Sequence, residues 1–131
     1  MEDSMLIEIL KEMQKKYQCI VEIERITREM GDSLSRNDRT SVQILLGMRQ
    51  EEMDNSDICD RNINCLISAL LPRERAFVQA WIKGNEDPKA DSPAAVRLVE
   101  KGNSIRIALK RTLEVDRHIS TRLAGKDSFY Q

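Results

Sequence analysis

Nine positions spaced alternately three and four apart, Leu6, Ile9, Met13, Lys16, Ile20, Ile23, Thr27, Met30 and Leu34, carry seven apolar residues. That spacing returns each side chain to one face of an α-helix, whereas a strand would need a period of two. The stretch therefore predicts a seam along a helix of about 45 Å, in the manner of a coiled coil. Leu10, Tyr17, Val21 and Ile26 widen the apolar face, so this helix is expected to meet more than one neighbour. Gly31 weakens the helix and Ser35-Arg36-Asn37-Asp38 interrupts the pattern, which predicts a turn between antiparallel helices.

A second helical segment runs from Thr40 to Leu71, opening with Val42, Leu45, Leu46 and Met48 and closing with Ile63, Leu66, Ile67, Leu70 and Leu71. Its middle, Gln50 to Asp57, is polar except for Met53. With neither glycine nor proline there, a continuous solvated helix is preferred to a break. Pro72 allows two outcomes: a kink in one helix, or a new helix with proline in its first turn. Phe77, Val78, Trp81 and Ile82 give the following stretch an apolar side, and Gly84 is placed as its C-terminal cap. Residues 84–92 read as a loop, and Ser92-Pro93 as an N-cap with proline at the first helical position. The last helix is expected from Pro93 to about Ala124, diluted by Gly102, Asn103 and Ser104, with Gly125 ending it and 126–131 a short tail. The fold expected is all-α: one domain, 1–131, an antiparallel bundle of three long amphipathic helices with a short helix after Pro72 and coiled-coil-like packing.

Composition supports long helices over a sheet. Aromatics are only 4% of the 131 residues while charged residues are 33%. A chain of this size buries roughly two thirds of the surface it exposes when unfolded. The net charge of −1 supplies no global attraction to nucleic acid or anionic membrane, yet residues 1–65 carry −5 and residues 66–131 carry +4. The simplest reading packs an acidic N-terminal half beside a basic C-terminal one; the other is a dedicated acidic partner. The opening MEDSMLIEILKEM lacks the pattern of a secretory leader, and no run approaches the ~18 apolar residues of a membrane span. Cys19, Cys59 and Cys65 are odd in number and unpaired in spacing. A cytoplasmic protein with reduced thiols is the expectation.

Recognisable catalytic chemistry is missing from the sequence. His118, the only histidine, follows Glu114 by four residues, but a metal site in a bundle needs three or four ligands from facing helices, commonly Glu-x-x-His units, and none occurs. Neither a phosphate-cradling glycine loop nor a Gly-x-Ser-x-Gly elbow is present. The expectation is a protein without enzymatic activity, metal or cofactor, in which Cys59 and Cys65 serve as small apolar fillers. Arg97, Lys101, Arg106, Lys110, Arg111, Arg117 and Arg122 make the last helix basic. They spread around it without interleaved aromatics, which favours a solvated face over a nucleic-acid surface.

Three features, taken in order, resemble the FlgN-type flagellar export chaperones. The first is a long amphipathic helix ending in Asp32-Ser33-Leu34-Ser35-Arg36-Asn37-Asp38, followed by Val42 to Met53 with Arg49-Gln50-Glu51-Glu52. The second is Leu70-Leu71-Pro72-Arg73-Glu74-Arg75, similar to that family's Leu-Pro junction before a short helix. The third is Asn103-Ser104-Ile105 through Leu109, Leu113 and Ile119 to Leu123-Ala124-Gly125-Lys126-Asp127-Ser128-Phe129-Tyr130, which resembles the family's final helix and tyrosine tail.

The resemblance implies a cytoplasmic chaperone that keeps hook-filament junction proteins unassembled and helps deliver them to the export apparatus, the client offering a C-terminal amphipathic helix. Candidate client contacts are Ile105, Leu109, Leu113, Ile119 and Leu123, and Tyr130 matches the tail tyrosine that the resemblance associates with the export gate. The same helix residues would equally form the protein's own core or a dimer seam. A structural bundle that self-associates is therefore the alternative, and a nucleic-acid-binding regulator a more distant one.

Overall fold

The computed structural model describes residues 3–85 and 90–130, with side chains described as far as Arg122. Four helices follow one another: α1 (Asp3–Ser35), α2 (Arg39–Ser68), α3 (Pro72–Ile82) and α4 (Pro93–Tyr130). No strand occurs among the described residues. The predicted seam forms. Leu6, Ile9, Met13, Ile20, Met30 and Leu34 are buried along α1, and the polar Thr27 is accommodated because its hydroxyl donates to the Ile23 carbonyl at 2.7 Å.

Local chemistry places each helix end. Asn37 adopts φ 57°, and Asn37 and Asp38 donate their backbone N–H groups to the carbonyls of Leu34 and Ser33. This is the paired closure that a left-handed residue allows at a helix C-terminus. Asp38 then caps α2, its carboxylate accepting from the Ser41 N–H at 3.1 Å and the Ser41 hydroxyl at 2.6 Å. The polar middle of α2 is continuous helix.

Pro72 separates two helices, sitting at the first position of α3. The carbonyls left over at that junction are taken by Arg75, whose guanidinium donates to Leu70 and Ser68, each at 2.9 Å. Gly84 closes α3 at φ 81°, with Gly84 and Asn85 donating to Trp81 and Ala80. Ser92 caps α4 by accepting from the Ala95 N–H at 3.1 Å. One boundary differs from expectation: α4 continues through Gly125 to Tyr130. A single glycine costs a helix about 1 kcal/mol but ends it only if the chain turns left-handed there.

The chain runs up, down and up again. Glu12 meets Asn62 and Lys16 meets Asp60, so α2 is antiparallel to α1. Lys101 lies over the Tyr17 ring at 4.7 Å, Arg111 pairs with Glu24 and Arg122 reaches Ser35, so α4 runs parallel to α1. Neighbours in space are α1 with α2, α2 with α3, α3 with α4, and α4 with α1; across the diagonals, among the described residues, no Cα of α2 lies within 8 Å of α4, and none of α1 within 8 Å of α3. The helices thus occupy four corners, one of which α3 fills for only 11 residues against 33 in α1.

The core follows this division. At the end where α3 is present, Leu6, Ile9, Met13, Ile67, Val78, Trp81, Ala95, Leu98 and Ile105 form one cluster. At the other, Ile26, Met30, Leu34, Val42, Leu45 and Ile119 form a second, built from the three long helices alone.

Candidate functional site

α4 carries a row of residues at helical spacing, Ala95, Val99, Gly102, Arg106, Leu109 and Leu113. The first three are buried, while Leu109 and Leu113 are 38% and 59% exposed. α3 explains the change. A Cβ on Gly102 would fall within 3.0 Å of backbone atoms of Trp81, Ile82 and Gly84, so the end of α3 lies directly on α4 there. Beyond that point α3 has ended, and the same face of α4 emerges uncovered.

A cavity of about 500 Å³ opens where α3 stops, lined by Met13 and Lys16 of α1, Asp60, Ile63 and Ile67 of α2, Ile82 and Lys83 at the end of α3, and Ile105 of α4. Its α4 wall continues from Ile105 to Leu109 and Leu113. Its α2 wall continues from Asp60 back through Ser56 to Met53, which is 44% exposed. Arg49 of α2 and Asp116 of α4 form an ion pair across the far end. The channel between Lys83 and that pair corresponds to the eleven helical steps from Ile105 to Asp116, about 16 Å or three helical turns.

The candidate contacts therefore divide. Ile119 is 5% exposed, inside the second core cluster, and Ile105 is 7% exposed, at the floor of the cavity. Leu109 and Leu113 face outward. The side chains of Leu123 and Tyr130 lie outside the described residues. Sequence periodicity alone missed Met53 as part of the same channel. The signal available was one exposed apolar residue in an otherwise polar stretch.

The electrostatics of α4 are equally divided. On the side facing α1, Lys101, Arg111 and Arg122 are engaged by Tyr17, Glu24, Gly31 and Ser35. Burial raises the Glu24 carboxyl, but hydrogen bonds and charge from Arg111 and Arg28 outweigh it and hold the group below its ordinary value. On the channel side, Arg106 donates to Asn103, and Lys110 and Arg117 are exposed. None of these three has an acidic partner among the described residues. The pairing of an acidic half with a basic half thus involves one flank of α4 only.

Among the described residues no group of His, Cys, Asp and Glu is arranged to hold a metal, and no helix is long and apolar enough to cross a membrane. His118 is exposed. Of the two cysteines expected as fillers, Cys59 is buried but Cys65 is exposed, because its position turns it off the buried face carrying Ile63 and Ile67; Cys19 is buried as well. Burial, with Glu52 and Cys59 beside it, pushes the Cys19 thiol up to about 11. Such a thiol is a poor nucleophile at neutral pH.

No family model, characterised protein or solved structure matches the chain. The class is therefore defined by fold and geometry: an all-α bundle of four corners, one of them covered along only part of its length.

Proposed function

We propose that this protein binds an amphipathic helix of a partner protein along the uncovered part of its fourth corner. The observation that supports this reading is the row on α4, which packs beneath a helix at Ala95, Val99 and Gly102 and continues exposed through Leu109 and Leu113. A partner helix laid there would extend the packing that α3 begins, burying its apolar stripe against Leu109, Leu113 and Met53.

The finer reading is a FlgN-type export chaperone acting in the cytoplasm. Its clients would be hook-filament junction proteins, held unassembled through their C-terminal amphipathic helices and passed to the export apparatus, with Tyr130 serving the export gate. That identification rests on the sequence resemblance; the channel supports only its helix-binding part. Co-expression with the C-terminal segments of junction proteins tests it. A co-purifying complex that is lost in Leu109→Asp/Leu113→Asp is the expected result, and failure to associate with any such segment rejects the chaperone reading. Light scattering separates it from self-association, for which a stable dimer unaffected by client peptide would be the signature.

A further inference from the structure

The channel has walls of different charge, and this specifies the helix it takes. On the α4 wall, Arg106 stands in the row one turn before Leu109, and Lys110 and Arg117 border Leu109 and Leu113 on its outward flank; none of the three has an acidic partner among the described residues. On the other flank of α4, Lys101, Arg111 and Arg122 are engaged by α1. On the α2 wall, Met53 stands next to Asp54 and one turn before Asp57; Asp54 accepts from Gln50, and among the described residues no cation pairs with either aspartate. From this we infer that the partner is a helix of about three turns whose apolar stripe is edged by carboxylates on the side that meets α4.

The physical reason is the cost of covering like charges. A helix seated on Leu109 and Leu113 brings its flanking residues beside Lys110 and Arg117, where three cations without internal partners repel a basic edge and attract an acidic one. The α2 wall offers carboxylates instead, so a carboxylate edge is accepted on one side only. For a helix with a single apolar stripe, that fixes the direction in which it lies. The inference rests on the helix-docking reading above and adds the chemistry of the docked edge.

Two synthetic helical peptides without tryptophan, about 14 residues long and sharing one Leu/Ile stripe, provide the test. One carries Glu along one edge of the stripe; the other carries Gln at the same positions. Binding to the full chain is measured by calorimetry and by the fluorescence of Trp81, the protein's single tryptophan, which adjoins the cavity-lining Ile82. The Glu peptide is expected to bind about tenfold tighter than the Gln peptide at low salt. Its advantage should disappear near 0.5 M salt, where the screening length is only about 4 Å. The double variant Lys110→Glu/Arg117→Glu, both at exposed positions, should reverse the order of the two peptides.

Equal binding of both peptides, lost in Leu113→Asp, would overturn the charge inference and leave helix docking standing. Failure of both peptides to bind, or binding that Leu113→Asp leaves unchanged, would remove the docking reading itself. Tighter binding of a duplex DNA oligonucleotide than of the Glu peptide, sensitive to the same double variant, would make the basic edge a nucleic-acid surface and overturn the proposal.

Discussion

Gly102 of α4 lies directly against the carbonyl oxygen of Ile82 at the end of α3, with no room between them for even one methyl group. This contact sets where α3 ends on α4 and therefore where the uncovered channel begins. Gly102→Ala should displace α3, destabilising the protein by about 2–3 kcal/mol as overpacked sites do and shifting the Trp81 emission. Gly47 of α2 is the control. A Cβ there meets nothing within 4 Å, so Gly47→Ala should stabilise by roughly 0.5–1 kcal/mol. Urea unfolding monitored by circular dichroism measures both.

Ile119 and Leu113 separate core from surface on the same helix. Ile119→Ala should cost about 2–5 kcal/mol, because it opens a cavity among Ile26, Met30 and Leu45. Leu113→Ala should change stability by no more than about 0.5 kcal/mol while weakening partner-helix binding. Denaturation and peptide titration on the two variants give the comparison. A Leu113→Ala variant that loses as much stability as Ile119→Ala would mean that Leu113 belongs to the core.

The Cys19 thiol makes stability pH-dependent on the alkaline side. Its folded value of about 11 stands above the ordinary 9.0, so its contribution is complete below pH 9 and is lost as pH rises from there through the folded value. Unfolding midpoints taken at intervals over that window should fall less steeply in Cys19→Ala than in the native chain.

Glu24 acts in the opposite window. Its carboxyl titrates below the ordinary 4.5: burial raises it, and the hydrogen bonds and charges of Arg111 and Arg28 more than offset that rise. Its contribution is present above the ordinary value and disappears as pH falls through the folded one. Arg111→Gln should therefore flatten the acid limb of the stability curve, where pH falls below the ordinary carboxylate value of 4.5. An unchanged limb would show that the link between α1 and α4 contributes nothing to folding.

Much of this was legible from residues alone. The α1 seam, the turn at Asn37 and Asp38, the Gly84 cap and the Ser92 cap are local: each depends on the spacing of neighbouring side chains or on a backbone conformation that only certain residues adopt easily. Pro72 was half legible, since proline permits either a kink or a helix start. Arg75, which takes up the carbonyls at the end of α2, accompanies the second outcome. At Gly125 the sequence signal misled, because glycine permits a helix to end without requiring it.

The candidate site was legible only as a set of apolar positions on α4. Periodicity gives Ile105, Leu109, Leu113 and Ile119 a similar claim to the core, because each is apolar and lies on a common broad face. Sequence determined that this chain forms long amphipathic helices and where most of them begin and end. Only the tertiary structure decided which apolar residues stay outside, since that depends on how far a short third helix reaches along a longer fourth. The reach of α3 is fixed where Gly102 meets Ile82, two residues twenty positions apart whose contact no local pattern encodes.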